Sequence, residues 1–554
     1  MIKRTIRITS VLSCFILLTA CGQKQESITQ AQADVDYDIL QKEESISFVK
    51  QARPVLEQRC IVCHGCYDAP CQLKLSSIEG IKRGSNPEKV YNAERLLAIE
   101  PTRLFIDANS EEEWRAKGFH SVLNEKENDP ANNLRHSVLY NMLRLKQLKP
   151  QPRVGMIDDS FDLSLYRDQT CPGNDKFDQY AEKFPMQGMP FGMPNLSDKE
   201  YHILVKWISQ GLPDDSNVNL PLSTEQQIKK WETFFNKSDI KHKLVSRYLY
   251  EHLFLGHLYF KGADNREFFR LVRSYTPPGK PIKEIATVRA FDDPGVAQFY
   301  YRLRYYKSSI VDKTHFIYEL SDKRMARYKE LFINNDYQVN GLPSYKPEVA
   351  ANPIKAFIDI PTKSRYLFLL DDAKYFIEGF IKSPSCRGQV ALNVIEDNFW
   401  VFFSNPDLSV VNHNDHYMDA MVENLNLPAE KGNTLNLLSA WSQYWDPQHD
   451  YMLKRQKRFG TIQKMDLDQA LKYVWNGESS MDKNNRTLTI FRHFDSATVK
   501  HGLIGDYPET AWIIDYPLLE RIHYLLVAGY NVYGNVGHQL TSRLYMDFLR
   551  MEGE

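Results

Sequence analysis

Beyond its first twenty residues the chain has no uninterrupted run of eighteen apolar residues, so nothing downstream reads as a membrane-crossing helix. It has almost no net charge. With 69 Lys and Arg against 70 Asp and Glu the formal charge is −1, which argues against a nucleic-acid partner. No internal repeat is legible, and no glycine-rich phosphate loop: GLIGDYPE and GYNVYGNVG carry their glycines in the wrong order, so no nucleotide cofactor is expected. Cysteine is scarce, at 8 in 554 residues, so the places where it clusters carry information. What remains is a globular composition, 43% apolar and 25% charged, with length for two or three domains.

Lys3, Arg4 and Arg7 precede an apolar run from Ile8 to Ala20 that is too short to span a bilayer. Residues 1–20 therefore read as a signal peptide. The run ends Leu18-Thr19-Ala20-Cys21-Gly22, the order of a bacterial lipobox, so Cys21 is expected to become a lipidated N-terminus; otherwise it is a small residue beside an ordinary cleavage site. Gly22 fits transfer to the outer membrane. The expected location is the periplasm of a Gram-negative bacterium, held to the membrane surface by the lipid, with polar residues 21–44 as a flexible tether.

The densest cysteine cluster is RCIVCHGCYDAPC, in which Cys60, Cys63 and His64 form a CxxCH motif. This is the attachment signature of a c-type haem. Each thiol adds across a porphyrin vinyl group, and the short loop delivers the imidazole to the iron, giving one covalent haem per chain. Two rivals remain: Cys66 and Cys71 lie close enough for a zinc site, and a bare CxxC serves as a redox pair. Export agrees independently with haem, which bacteria attach outside the cytoplasm.

Phe48, Val49, Ala52, Val55, Leu56 and Cys60 fall at helical spacing ahead of the motif, with Pro54 bending or restarting the helix. Helix plus CxxCH resembles the start of a cytochrome c domain, which needs a second axial ligand. Residues 186–211 offer one. Met189 in Gly188-Met189-Pro190 is the first choice, Met193 in Gly192-Met193-Pro194 the alternative, followed by Met186 or an open iron; these methionines otherwise only line an apolar pocket. Ser197 and Glu200 form a capping box that starts a helix with Ile203, Leu204, Trp207 and Ile208 on its buried face.

The predicted architecture is α+β and multidomain. A mainly helical cytochrome c-like domain occupies 45–211, with a large insertion holding a helix over Arg135–Lys146; residues 212–222 are a linker, and a larger mixed region fills 223–554. There, helices are expected over Thr224–Asn236, through RYLYEHLFLGHLYF, and near 320–334, 415–426, 435–446, 466–475 and 517–528. Strands are expected at PIKEIATVRAF, FYYRLRYY, SRYLFLLDDAKYFIEGF and RGQVALNVIEDNFWVFFS. Of the remaining cysteines, a disulfide is expected as Cys71–Cys171 or Cys66–Cys71, and Cys386 reads as an inert thiol rather than a reactive one beside Arg387. Glu251, His252 and His257 read as satisfied core groups in preference to a second metal site, and the run His413 to His416 as a solvated loop.

Beyond the haem motif, CIVCHGCYDAPCQLKLSSIEGIKRG, EPTRLFIDA, GMPFGMPNL, RYLYEHLFLGHLYF, PSCRGQVALNVI, FRHFDSATVKHGLIGDYPETAWIIDYPLLERIHYLLVAG and NVYGNVGHQL together resemble the bacterial fatty acid cis/trans isomerases. The resemblance implies haem c held by Cys60 and Cys63, iron ligated by His64 and Met189, and a substrate that is an unsaturated fatty acid or phospholipid acyl chain. It implies conversion of cis to trans double bonds, stiffening the membrane under solvent or heat stress, with no catalytic acid–base side chain. The chain stops at RLYMDFLRMEGE, where members of that family continue further, so a short variant or truncated product is expected. The alternative reading is a periplasmic c-type cytochrome lipoprotein for electron transfer or haem-based sensing.

Overall fold

The computed structural model describes residues 44–553 apart from 158, 160, 165–166, 218, 264–266, 383, 385–397, 409–414, 432–436, 461–465 and 494–495. The readings for Cys21, Cys386 and His413 fall outside these residues. Ser47 caps a π-turn over Phe48–Ala52, and the helix restarts as α1, Arg53–Arg59, with Pro54 in its first turn, where a missing N–H leaves no bond unmade. A single turn, α2, Ile61–His64, follows and carries the motif. Then come α3, Ile78–Arg83, and α4, Val138–Leu148. The helix expected over Arg135–Lys146 is in fact two, Pro130–Arg135 and α4, because the Ser137 side chain accepts from the Tyr140 N–H and starts a new helix. The capping box at Ser197 and Glu200 forms as read and opens α5, Asp198–Ser209.

Two cores sort the chain. The first gathers Phe48, Leu56, Leu134, Leu143, Leu204 and Trp207, with Phe48 stacked on Trp207 at 5.4 Å. The second is larger and begins with α6, Leu222–Phe235, and α7, Ile240–Leu253. Val90 joins this second core. Arg95 Nη1 donates to the Tyr533 carbonyl at 3.1 Å and Gln539 Nε2 to the Asn92 carbonyl at 3.0 Å, so residues 88–99 strap the first part to the second.

RYLYEHLFLGHLYF is not one helix. It splits at Gly256, where a side chain would lie 2.7 Å from the Tyr375 ring, and its second half is strand β1, His257–Phe260. Strands β2, Phe269–Ser274, β3, Tyr300–Tyr305, and β4, Ile317–Leu320, complete a sheet of order β3-β2-β1-β4 in which only β1 and β4 run parallel. PIKEIATVRAF is a loop with one isolated bridge, Ser274 to Glu284. SRYLFLLDDAKYFIEGF forms two helices, α8, Thr362–Asp371, and α9, Ala373–Lys382. Both are buried nearly all round, so aromatic density there reports depth in the core and not β-structure.

A second sheet holds β5, Asn398–Phe403, β6, Thr487–Arg492, β7, Ala497–His501, and β8, Ala511–Ile514, in the order β7-β6-β5-β8, again with only its first and last strands parallel. After β4 comes the cap Ser321, a helix over Asp322–Tyr328 and a π-turn over Lys329–Ile333. After β8 come the cap Asp515, α10, Tyr516–His523, and a π-turn over Tyr524–Ala528. The topology is therefore duplicated, although the sequence shows no repeat. The chain closes with α11, Val536–Gly553. Among the described residues no helix is long and apolar enough to cross a membrane. The fold is α+β and multidomain.

Candidate functional site

His64 is buried at the end of α2, and its Nδ1–H donates to the Leu73 carbonyl at 2.9 Å. That bond fixes the tautomer and leaves the Nε2 lone pair without a hydrogen bond, while burial lowers the imidazole pKa and keeps it neutral. A lone pair so presented suits a metal. Cys60 and Cys63 are free thiols, Cys60 half-buried and Cys63 exposed. Burial, then the neighbouring Cys63, pushes the Cys60 thiol up to about 12.

Gly65 has to be glycine, since a Cβ there would sit 2.7 Å from the Ile61 carbonyl oxygen and against Val311 of the second part. Cys71 is bonded to Cys171, the first of the two pairings considered, and Cys66 is disulfide-bonded as well. Neither is available as a thiolate, which removes two of the ligands a zinc site would need.

The end of α1 is bolted to the start of α5: Arg59 Nε donates to Glu200 Oε1 at 2.8 Å. The Arg59 guanidinium, helped by the Ser197 cap, holds the Glu200 carboxyl down at about 2. Just upstream, the Met189 N–H donates to the Met142 carbonyl at 3.0 Å, so the Gly-Met-Pro loop lies along α4. Met189 packs against the same core as Cys60; Met193 does not join it and Met186 is exposed. Lys146, on α4 where Gly188 touches it, is buried with an ammonium that has no partner. Burial lowers it to about 8.

A cavity of about 210 Å³ opens directly beyond the motif. Gly65, Cys66 and Tyr67 form one wall; Leu104, Phe105 and Ile106 another; β2, the loop at Ile285 and residues 527–533 close it. Lys74, Arg103, Arg270 and Arg304 also reach it. None of these was read as functional from sequence. The signal was there in FRLVRS and YYRLRY, where arginines alternate with buried apolar residues instead of staying at strand ends.

The histidines of RYLYEHLFLGHLYF are placed as core groups. His252 bonds to the Tyr248 carbonyl at 2.7 Å and to Glu520 Oε2 at 2.9 Å, and stacks on His523 at 4.6 Å. Glu251 takes Arg247 at 2.8 Å and the Tyr524 hydroxyl. His257 faces His315 at 3.0 Å and Arg270 at 3.2 Å. Among the described residues no group of three His, Cys, Asp or Glu is arranged to hold a metal.

Residues 99–554 match the family described as Fatty acid cis/trans isomerase (CTI). The chain belongs to that family. Membership makes it a cis–trans isomerase with a fatty acid as substrate class. The matched span holds Met189, Arg270, Arg304 and residues 527–533, and starts downstream of Cys60, His64 and Lys74. No curated protein and no solved structure matched the chain.

Proposed function

We propose that this isomerase converts cis double bonds in unsaturated acyl chains to trans with one covalent haem c, outside the cytoplasm. The supporting observation is that the apolar cavity begins at Gly65, the residue after His64, so a chain lying in it would run beside the CxxCH motif. The residues present fit the group. Cys60 and Cys63 are free to form its thioethers, His64 Nε2 is an unused neutral ligand, and the unpartnered Lys146 ammonium has the sign to meet a porphyrin carboxylate. Met189 would be the second protein ligand to the group, with Met193 the alternative. When bound, such a group supplies reversible one-electron exchange at a potential raised by His/Met ligation.

The protein's own part is positional. Leu104, Phe105, Ile106 and Ile285 offer an acyl chain an apolar, water-poor wall. Substrate and product are isomers, so no co-substrate is consumed and no proton has to be placed; the buried Glu251, His252 and Glu520 are held in structural bonds and serve no acid–base role. Straightening a kinked chain stiffens a bilayer already built, which suits a lipoprotein anchored through Cys21 at the periplasmic membrane surface and acting under solvent or heat stress.

Haem-loaded full-length protein given palmitoleate anaerobically is expected to yield the trans acid, and His64→Ala to lose covalent haem and activity together. No conversion at full haem loading would refute the reading in favour of an electron carrier. Cys21→Ser is expected to release the protein into the soluble periplasm; wild type that is already soluble would refute the anchor.

A further inference from the structure

Six cations line the cavity, and three of them, Arg103, Arg304 and Lys307, face a carboxylate. Arg103 is bidentate to Asp107, at 2.9 and 2.7 Å. Arg304 Nε lies 2.8 Å from Glu284 Oε2. Among the described residues no carboxylate pairs with Arg270 or Lys74. Arg270 meets uncharged partners: Nη2 lies 3.2 Å from the neutral His257 Nε2 and the guanidinium reaches the Tyr306 side chain, 5.2 Å from its ring centroid, while Nη1 is buried with no partner. The charges that act on Lys74 are those of Arg83, Arg270 and Arg304, all of its own sign.

The register sharpens the point. Arg270 and Arg304 are direct cross-strand partners on β2 and β3, and like charges placed opposite one another destabilise a sheet. The fold does not ask for them. Aligning the two sheets on β4 and β8 makes Leu258 equivalent to Val401, Phe269 to Leu488, Leu271 to Ile490 and Leu303 to Val499, all core residues. The positions of Arg270 and Arg304 are then held by Thr489 and Lys500. A half-buried cationic pair that costs stability and is absent from its twin points to a ligand.

We propose that Lys74 and Arg270, with Arg304 beside them, seat the anionic oxygen group at the head of an acyl chain whose tail lies along the apolar wall. This rests on the isomerase reading and adds the substrate's orientation to it. One apolar wall plus an unmatched pair of cations is the complement of a fatty carboxylate, or of the phosphodiester of a lipid. Lys74 follows Leu73, whose carbonyl holds His64, so the seat and the haem motif share one short segment.

The test is equilibrium displacement of a fluorescent fatty acid from full-length haem-loaded protein by palmitate, methyl palmitate and palmitoyl lysophosphatidylglycerol. None of these has a double bond, so binding is read without turnover. Palmitate is expected to bind roughly 10- to 100-fold more tightly than its ester, and Arg270→Gln to remove that advantage while leaving the ester unchanged. Arg270→Lys is expected to keep part of it, and Lys74→Met, on a separate segment, to repeat the loss should Arg270→Gln not fold. Preference for the lysophospholipid over palmitate, lost in the same variants, supports the seat and names the phosphodiester as its anion. Equal binding of acid and ester, or a preference that survives both substitutions, overturns the seat while leaving palmitoleate isomerisation standing. Failure of every acyl ligand to bind overturns the cavity as the acyl site, and the seat with it.

Discussion

Gly188→Ala is expected to lift the Gly-Met-Pro loop off α4 and with it the thioether proposed as the second axial ligand. A Cβ at Gly188 would stand 2.7 Å from Lys146 Cα and 2.9 Å from the Leu145 carbonyl carbon, and closer still to the Lys146 nitrogen. Carbon atoms settle at ~3.5–4 Å, so loop and helix have to part by about 1 Å, and since the obstacle is backbone no side-chain rotation relieves it. The Met189 N–H bond to the Met142 carbonyl, now 3.0 Å, would stretch out of range. Loss of that bond at about 1 kcal/mol and overpacking at about 1–3 kcal/mol give a total of about 2–4 kcal/mol. Urea unfolding measures the cost; the electronic spectrum of haem-loaded protein measures the ligand. Covalent haem content is expected to stay at the wild-type level, because Cys60, Cys63 and His64 lie elsewhere, while the methionine–iron charge-transfer band is lost. Gly341→Ala is the control, since a Cβ there meets open space, and its effect is expected within about 0.5 kcal/mol. Wild-type stability with an intact band in Gly188→Ala would refute the reasoning, and loss of the band in Met193→Ala but not Met189→Ala would move the ligand to Met193.

Three further outcomes are expected. Cys71 and Cys171 close a loop across a sequence separation of 100, so Cys171→Ser is expected to cost roughly 4–5 kcal/mol in the chain-entropy account, read as the fall in urea midpoint. Glu200, held down at about 2 chiefly by Arg59, contributes stability that is complete above its unfolded value near 4.5 and lost as pH falls towards 2. Because Arg59 is 42% exposed, screening leaves about 1 kcal/mol, and acid titration of Glu200→Gln should lack that step. Burial, then Arg83, Arg270 and Arg304, lowers Lys74 to about 7, so it is a cation below that pH and neutral above it. Palmitate affinity is expected to fall as pH rises through about 7 and to become flat there in Lys74→Met; His257, kept neutral by burial, does not contribute, and an unchanged slope in the variant refutes the assignment.

Local chemistry was legible in the sequence wherever a few residues settle it. The capping box at Ser197, the restart at Pro54 and the α+β class all follow from short-range rules and are found. Features that depend on which faces are buried were not legible. Tyr366 to Phe380 reads as strand from its aromatics, yet α8 and α9 lie inside the core, where a helix needs apolar residues on every side. His257 reads as helical beside His252, yet the helix stops at Leu253 and the turn through Gly256 puts His257 in the strand that faces Arg270. Arg270 and Arg304 meet only through strand pairing, and Lys74 meets them only because the first part docks on the second.

Duplication separates what the fold requires from what the site requires. In both copies the core positions of the sheet are apolar and buried, so Leu271→Ala and Ile490→Ala are expected to cost similar amounts, about 2–4 kcal/mol each. The opposite face has diverged: His257, Arg270 and Arg304 in one sheet stand where Trp400, Thr489 and Lys500 stand in the other. Thr489 satisfies its hydroxyl on the Gly502 carbonyl at 2.7 Å, whereas Arg270 leaves Nη1 unsatisfied and faces a second guanidinium. Arg270→Thr, which gives the first sheet its twin's residue, removes the like-charge pair, worth about 0.2–1 kcal/mol, and the buried unpaired donor, worth about 1–3 kcal/mol. Against this stand the lost contacts to Tyr306 and His257, so ligand-free stability is expected to match or exceed wild type while acid-over-ester selectivity disappears. A variant destabilised by more than about 2 kcal/mol would make Arg270 a structural residue of this sheet, since only a group the fold depends on is that costly to replace with the residue its own duplicate uses.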